Sequence, residues 1–562
     1  MVKKILSFVG GMGREITGLH EAAYLLALAA SASMVFALVR DRLLAHFLGA
    51  GESLDVYYAA FRIPDFIFVT VASLVSTSIL VPFLSESKEK GNADLKTSIQ
   101  SLFSVFFLII FLVCLLAWIF MPWLLKILFP NLFDIGLGDT LISTSRILLL
   151  SPVLLGLSSF FASLSQISNR FLAYALSLPL YNIGIIFGIV FLLPYFGVRG
   201  IAFGVALGAL FLAVSQIPFI VRDGLFPRFL FPFDLVRVRR VILLAIPRTI
   251  TLSSREMTML ALVAFASFLG AGSISIFNLA LNLQSVPLTI IGASYSSAAF
   301  PVLARLFARG ERGAFLGKMI SAVRHVIFWS VPLSVLFIVL RAQIVRVVLG
   351  SGAFSWSDTK LTAAALALFI VSSVGQCLIL IFVRSFYAEG RTAKPLFINI
   401  ISAMATVIAA FLLLKLYFTW PEFAYFTESL LKTEGVLDSS VLMLPLAFSL
   451  GTLLNLLLHW RAFVRGFAGF NRPVFQTAFQ SISASIIGGY AAYTSLKFFD
   501  DVFHLETFFG IFMQGFSAGI IGIAVIVLIL YLLKSRELRD IAQTLHEKVW
   551  KVDRSSMDQL PS

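Results

Sequence analysis

Charged residues are scarce in this chain of 562 residues. Asp, Glu, Lys and Arg together make up 13% of it, whereas 59% of the residues are hydrophobic. Soluble domains need roughly 25% charged residues to cover their surface, so this composition excludes a water-soluble protein. Apolar runs of about 20 residues recur along the chain, and each is long enough to cross a hydrocarbon core of about 30 Å as a helix.

The sequence also lacks the motifs of common catalytic sites. It contains no G-x-x-x-x-G-K-[S/T] phosphate-binding loop, no H-E-x-x-H zinc motif and no Ser/His/Asp context, so we expect a transporter and not an enzyme. Its two cysteines, Cys114 and Cys377, both lie in apolar runs and indicate neither a disulfide framework nor a metal site. No cofactor is expected, and any energy has to come from a gradient or from the substrate.

The apolar runs predict an all-α polytopic membrane protein with about 14 transmembrane helices. Weak sequence echoes between helices 2 and 8, and between helices 5 and 11, repeat at an offset of six helices. We therefore predict two six-helix lobes plus a C-terminal helix pair, with the substrate site between the lobes. The predicted boundaries are an amphipathic segment 1–20, an N-lobe 21–222, a cytoplasmic linker 223–238, a C-lobe 239–466, a helix pair 467–534 and a cytoplasmic tail 535–562.

Lys and Arg are distributed unevenly between the two sets of predicted loops. The loops that follow even-numbered helices carry more of them than the loops that follow odd-numbered helices. Cytoplasmic loops are the ones enriched in Lys and Arg, so both termini are predicted to be cytoplasmic. The net charge of +14 follows from this topology. No nucleic-acid partner is expected, because the basic residues do not form one aromatic-interleaved patch.

Charged side chains inside the predicted spans are the strongest functional signal, because an Arg or Asp at mid-bilayer costs about 2.5–3.5 kcal/mol even on a lenient insertion scale. Arg62 lies early in a span and is expected to face a cavity. Arg248 and Arg255, seven positions apart, share one face of helix 7, with Glu256 beside the second. Two guanidinium groups on one face could bind phosphate oxygens. The alternative is that Arg255 and Glu256 lie near the interface and pair or snorkel.

Two amide side chains also lie in predicted spans. Asn182 and Asn399 each follow shortly after a Pro-Leu pair, and internal hydrogen bonding is the expected role of both. Asn399 is also a weak candidate for a sodium site, although its neighbours "IISAMAT" supply no carboxylate.

Six stretches of the sequence form a combination that is more specific than any single piece. They are "RDRLLAHFLGAGESLDVYYAAFRIPD" (40–65), "SNRFLAYALSLPLYNIGIIFGI" (168–189), "VRGIAFGVALGALFLAVSQIP" (198–218), "VRRVILLAIPR" (238–248), "AAFPVLARL" (298–306) and "VRSFYAEGRTAKP" (383–395). Together they resemble the MurJ (MviN) family of lipid II flippases, within the multidrug/oligosaccharidyl-lipid/polysaccharide (MOP) exporter superfamily. The fourteen-helix prediction agrees with that family.

The resemblance implies a flippase of the bacterial inner membrane. Such a protein moves lipid II, a disaccharide-pentapeptide on an undecaprenyl pyrophosphate, from the cytoplasmic to the periplasmic leaflet by alternating access of two lobes. The membrane potential or sodium would contribute energy. The expected partners are this lipid-linked glycan, membrane lipids and a cell-wall synthesis complex, and the expected state is a monomer.

Four charged residues match the family position by position. Arg40 and Asp41 match an Arg-Asp pair at the end of helix 1, Asp55 matches an acidic residue before helix 2, and Arg62 matches a basic residue before Ile-Pro or Leu-Pro. The resemblance assigns these charges to a central cavity and its periplasmic gate.

Other cavity cations of the family are missing from this chain. Family arginines fall here on Met34, Phe68, Val69 and Asn282. Asn282 stays a candidate for substrate binding, and Arg255 is hypothesised to compensate for the missing charges. The losses keep two alternatives open: a flippase for another polyprenyl-pyrophosphate-linked glycan, of the O-antigen or exopolysaccharide type, or a nontransporting scaffold of a wall-synthesis complex.

Overall fold

The computed structural model describes residues 19–72, 77–168, 171–231 and 233–550. Within these ranges the chain is built from helices and contains no strand. The predicted segment 1–20, except its last two positions, and the end of the predicted tail, 551–562, lie outside the described residues. The all-α prediction is confirmed.

The first half of the chain forms eleven α-helices within the described residues. They are α1 Leu19–Leu48, α2 Glu52–Ala72, α3 Thr77–Glu89, α4 Asn92–Leu128, α5 Pro130–Asp134, α6 Gly138–Leu148, α7 Leu150–Ile167, α8 Phe171–Phe187, α9 Leu193–Phe196, α10 Val198–Val214 and α11 Ile217–Arg222. A short π-helix, Gly188–Leu192, joins α8 to α9.

The second half continues with thirteen α-helices. They are α12 Leu235–Ala266, α13 Ser273–Pro287, α14 Ser294–Ala308, α15 Arg312–Val339, α16 Arg341–Val348, α17 Trp356–Val371, α18 Ser373–Ala388, α19 Ala393–Thr419, α20 Pro421–Leu431, α21 Met443–Val464, α22 Asn471–Asp500, α23 Phe508–Leu532 and α24 Arg536–Trp550. A π-helix, Leu288–Ala293, joins α13 to α14, and a 3₁₀ turn, Ser439–Leu442, precedes α21.

Ten helical stretches of the described chain are long and apolar enough to cross a membrane. Helices also lie at the other four predicted positions, which correspond to α1, α2 with α3, α12 and α22. Of these, α12 carries charged residues along its length and is therefore less apolar than a typical span. The count of fourteen spans stays a prediction. Arg40 and Asp41, which the resemblance places at the end of helix 1, lie inside α1. The helix continues to Leu48, and these two internal charges are paired.

Two groups of helices meet along α2. On one side α2 packs against α6 and α7, and on the other it packs against α12 and α13. Within the first group, α8 and α10 approach closely because each presents glycine to the other. A Cβ atom on Gly208 would lie 2.3 Å from the carbonyl oxygen of Tyr181, and small residues of this kind let membrane helices pack backbone to backbone. The interface between the two groups is where the predicted site residues lie.

The start of α12 is tied to the first group by ion pairs. Arg237 contacts Asp94 through Nη2 at 2.6 Å and Asp234 through Nε at 2.6 Å. These hydrogen bonds, with Asp94 as the larger cause, raise the pKa of Arg237. Arg240 adds a more exposed pair with Glu86 at 3.2 Å, and exposed pairs of this kind contribute little to stability. We call this end of the molecule the linker end.

The tail begins with a docked helix. Glu537, in the first turn of α24, is 1% exposed and lies 2.6 Å from Nη2 of Arg324 in α15. Its Oε1 also accepts a hydrogen bond from Thr477 of α22 at 2.7 Å, and its Oε2 accepts one from Ser535 at 2.8 Å. Burial opposes ionisation, but these hydrogen bonds and the Arg324 charge hold the pKa of Glu537 below its usual range. One carboxylate thus joins α24 to both α15 and α22.

Candidate functional site

Three loops close one end of the interface between the two helix groups. Ala353, after α16, donates its N–H to the carbonyl oxygen of His46 in α1 at 2.9 Å, and Arg42 donates to the carbonyl oxygen of Val347 at 2.5 Å. The loop before α13 packs tightly on the loop that follows α1, since a Cβ atom on Gly272 would lie 2.1 Å from the carbonyl oxygen of Ala50. Only glycine fits there, because its φ is also +88°. We call this the gate end.

Asp55 connects α2 to the start of α13 across this end. The carboxylate is 4% exposed. It accepts hydrogen bonds from the N–H of Gly272 and the N–H of Ser275, both at 2.7 Å, and from the hydroxyl of Ser275 at 2.5 Å. These N–H groups have no partner within α13 and carry the positive end of its dipole. The arrangement therefore neutralises a buried carboxylate with a helix N-terminus from the other helix group.

Asp41 makes the second link between the groups. Its Oδ1 accepts bonds from Nε and Nη2 of its neighbour Arg40 at 2.9 and 2.8 Å, and its Oδ2 accepts a bond from Asn282 of α13 at 3.2 Å. Arg40 also donates to Oδ1 of Asn182 in α8 at 3.1 Å, and Asn182 donates to the carbonyl oxygen of Ser33 at 3.2 Å. The charges inside α1 are thus paired, and their network reaches α13.

Arg62 lies in the same helix as Asp55, α2, but farther from the gate end. It donates a short hydrogen bond from Nη2 to Oδ1 of Asn278, which in turn donates to the carbonyl oxygen of Ile274 at 2.7 Å. Asp65 and Glu256 both interact electrostatically with Arg62. Its Nε is buried and has no hydrogen-bond partner within the described part of the chain. Arg62 therefore has one buried donor that the described residues do not satisfy.

The structure places two of the charged residues predicted on α12, Arg255 and Glu256, in different surroundings. Glu256 is partly buried and lies within electrostatic reach of Arg62, whereas the side chain of Arg255 is exposed. Ser253 contacts Thr70 of α2 at 3.0 Å, so the face of α12 that meets α2 carries Ser253 and Glu256, one turn apart, and not Arg255. The side chain of Arg248 lies outside the described residues. The predicted pair of cations on one face stays a prediction.

Asn399 lies in a separate position, away from the gate end. Its Oδ1 accepts a hydrogen bond from Asn455 of α21 at 2.9 Å. Across the ranges that the structure describes, no three His, Cys, Asp or Glu side chains come together as metal ligands. The contact is a link between α19 and α21, and sodium binding by Asn399 stays a prediction.

Comparisons with known proteins show the family to which the chain belongs. A family model described as "Lipid II flippase MurJ" matches residues 44–515. The chain belongs to the MurJ family. Among its relatives, the probable lipid II flippase MurJ of Buchnera aphidicola subsp. Schizaphis graminum is 24% identical over 464 residues, covering 81% of this chain and 85% of the relative. That of Vibrio cholerae is 26% identical over 418 residues, covering 69% and 75%.

Solved structures support the same fold. A structure described as "Lipid II flippase MurJ, inward closed conformation" matches with a TM-score of 0.71 at 21% identity, covering 92% of this chain and all of that one. An inward-facing multidrug resistance MATE family transporter of the MOP superfamily matches with a TM-score of 0.59 at 14% identity, covering 78% and 96%. The MurJ fold that the resemblance implied is confirmed.

Within this MurJ family member, three site residues were not predicted from the sequence. Gly272, Ser275 and Asn278 all lie on or just before α13 and provide the partners of Asp55 and Arg62. The available signal was Asn278, a polar residue one turn before Asn282 in an apolar run. Gly272 and Ser275 act mainly through backbone N–H groups, which a sequence pattern does not reveal. Asn282, the position of a missing family arginine, keeps a polar contact with Asp41.

Proposed function

We propose that this protein flips lipid II from the cytoplasmic to the periplasmic leaflet of the bacterial inner membrane by alternating access. The observation that carries the proposal, beside family membership, is the pair of buried carboxylates that join the two helix groups. Asp41 and Asp55 both lie on the N-terminal side and both bind α13. A transporter that alternates between two openings needs such contacts, which hold one end closed and can be replaced by water when it opens.

The proposed orientation places the gate end in the periplasm and both termini in the cytoplasm. It follows from the excess of Lys and Arg in the loops of the linker end. The two helix groups then correspond to the predicted lobes, 21–222 and 239–466, and the linker 223–238 connects them on the cytoplasmic side. In this orientation the closed gate faces the leaflet to which lipid II is delivered.

Arg62 is the proposed contact for the pyrophosphate. Arg40 is paired with Asp41, whereas the buried Nε of Arg62 has no hydrogen-bond partner among the described residues. A guanidinium group binds phosphate oxygens through parallel N–H donors. Asn278 accepts from Nη2 of Arg62 and leaves Nε available to a phosphate oxygen. Arg248 and Arg255 are proposed to extend the positive region along α12. Asp65 and Glu256 lie near Arg62 and would repel the negatively charged pyrophosphate. The proposal therefore requires Arg248 and Arg255 to offset that repulsion.

The membrane potential or a sodium gradient is the proposed source of energy. The substrate is the proposed partner together with membrane lipids, and the protein is proposed to act as a monomer, with contacts to a wall-synthesis complex.

One observation favours a second cargo. Asn282, in place of a family arginine, gives the cavity less positive charge, which would suit a different polyprenyl-pyrophosphate-linked glycan.

Complementation of a MurJ-depleted bacterium tests the proposal. We expect the parent to restore growth, Arg62→Ala to fail, and Arg62→Lys to restore growth partly because a lysine keeps the charge but not the planar donor set. Arg309→Ala is the matched control, since Arg309 is an exposed arginine in the loop after α14. Immunoblots of membranes confirm equal insertion.

The outcomes separate the candidates. A well-inserted parent that does not support growth would contradict lipid II as cargo, and rescue of an O-antigen flippase mutant by the same gene would identify the second cargo. Growth of the Arg62→Ala strain at the parental rate would contradict the role of Arg62 but not the cargo.

A further inference from the structure

The segment between α19 and α21 has no role in the function proposed above. It contains α20, Pro421–Leu431, and returns through a loop to the 3₁₀ turn at Ser439. The segment lies at the gate end, because a Cβ atom on Gly270 would meet the carboxyl group of Asp438 at 2.0 Å. Gly270 is two residues before Gly272, whose N–H binds Asp55. The segment therefore packs directly on the loop that closes the gate.

One side of α20 is held against the protein. Thr427 and Leu431 are buried, and the hydroxyl of Tyr417 donates a short hydrogen bond to Glu428. Arg341 of α16 donates to the carbonyl oxygen of Leu431 at 3.3 Å. These contacts fix the rotation of the helix about its axis, so its outward side is defined.

The outward side of α20 carries an apolar stripe. Phe426 and Leu430 are spaced i and i+4 and so lie next to each other on the helix surface. Phe426 is 60% exposed and Leu430 is 65% exposed, whereas Phe423, at the edge of this stripe, packs against the hydrophobic core. Next to this line lies a polar one, formed by the exposed residues Glu422 and Ser429. On the other side of the polar line lies Tyr425, which is 67% exposed. The free surface of the helix thus carries a polar strip beside the apolar one, with a tyrosine at its far edge.

The neighbouring helix indicates what covers the apolar stripe. α19 is one of the membrane-crossing candidates, and only 17% of its apolar window is buried, so its surface faces lipid. Its exposed side chains include Phe411, Leu412 and, in the last turn, Phe418, which is 66% exposed. Phe418 is followed almost at once by Trp420 and the stripe. The lipid-facing surface of α19 therefore reaches the start of α20, where the exposed Thr419 and Glu422 lie among the aromatic residues.

We infer that α20 is an interfacial helix whose exposed Phe426 and Leu430 insert into the lipid leaflet at the gate end. Aromatic residues are enriched at this level of the membrane, and a helix with adjacent apolar and polar strips lies in the plane of the interface. Glu422 and Ser429 then face water. Through Asp438, the same segment connects this membrane anchor to the gate loop.

Site-directed spin labelling of the full-length protein tests the inference. Cys114 and Cys377 are first replaced by Ala, and the protein is reconstituted into vesicles of phosphatidylethanolamine and phosphatidylglycerol. A single nitroxide is attached at Phe426→Cys or Leu430→Cys, with Glu422→Cys and Ser429→Cys as matched controls on the same helix. All four side chains are exposed, so the labels should not disturb packing. Collision rates with oxygen and with a water-soluble nickel chelate are measured by electron paramagnetic resonance.

We expect the ratio of oxygen to nickel collisions to be several-fold higher at Phe426 and Leu430 than at Glu422 and Ser429. Equal, water-like ratios at all four sites would overturn the inference and leave the stripe free for a protein partner. Low collision rates with both reagents at Phe426 and Leu430 would also overturn it, because they would show burial against a second copy of the chain. The measurement does not depend on the transported lipid, so it is independent of the proposed function.

Discussion

Neutralising Asp55 should open the gate end. In Asp55→Asn the side chain keeps its shape but loses its charge. The amide oxygen can still accept from Ser275, but the amide nitrogen then faces the N–H of Gly272, so two donors meet in a buried site. The helix N-terminus of α13 also loses the negative charge that its dipole favours.

The size of the effect follows from the contacts. Hydrogen bonds to a charged group contribute about 1.5–3 kcal/mol, against about 0.5–1.5 kcal/mol for neutral ones. Loss of the charge at a helix N-terminus costs about 0.3–2 kcal/mol. Together these give a loss of about 2–4 kcal/mol of stabilisation of the closed state, which is roughly 30- to 700-fold in the ratio of closed to open molecules.

Distances across the gate end measure this ratio. Spin labels at Glu52→Cys, at the start of α2, and Ser357→Cys, at the start of α17, report the separation of the two helix groups, because both positions are exposed. We expect pulsed electron paramagnetic resonance to show mainly the short distance in the parent and a dominant longer distance in Asp55→Asn.

Asp501→Asn is the matched control, since Asp501 is an exposed aspartate at the same end after α22. A distance distribution of Asp55→Asn that equals those of the parent and of this control would refute the reasoning. It would mean that the backbone packing of the loops, and not the carboxylate, holds the gate closed.

Two further variants test the scaffold around the site. Glu537→Gln should weaken the docking of α24 by about 1–3 kcal/mol and speed tryptic cleavage of the tail relative to the exposed Glu311→Gln. Because the pKa of Glu537 is lowered by folding, its stabilisation of the docked α24 should persist at neutral pH and be lost as the pH falls through that lowered pKa. A cleavage rate that changes with neither the substitution nor the pH would contradict this. Gly208→Ala should lower the thermal unfolding temperature through a cost of about 1–3 kcal/mol, whereas Gly317→Ala, with open space around it, should not; equal unfolding temperatures would refute the close α8–α10 contact.

Composition and apolar run length were sufficient to predict the helical membrane fold. A span must satisfy its backbone hydrogen bonds internally and present about 20 apolar residues, and both requirements are visible in the order of residues. The sequence alone does not show that helix 1 extends to Leu48, because Arg40 and Asp41 interrupt its apolar run. In the fold, Asp41 and Asn182 pair with Arg40, so the helix passes through these charges.

The sequence predicted the charged site residues of α1 and α2 but not most of their partners on α13. Charged residues in apolar surroundings are costly, so the sequence identified Arg40, Asp41, Asp55 and Arg62 as residues that need partners. The partners of Asp55 are N–H groups of α13, more than 200 positions along the chain. Every residue has such groups, and only the packing of α2 against α13 selects these.

The sequence by itself determined the class of the protein, its family and the charged half of its gate, because hydrophobic length and intramembrane charge are local properties. Only the tertiary structure decided which groups neutralise those charges, that Glu256 and not Arg255 lies on the α2 side of α12, and that α20 exposes its apolar stripe beside the lipid-facing surface of α19. These features depend on the rotation and contact of helices distant in sequence, which no local pattern specifies.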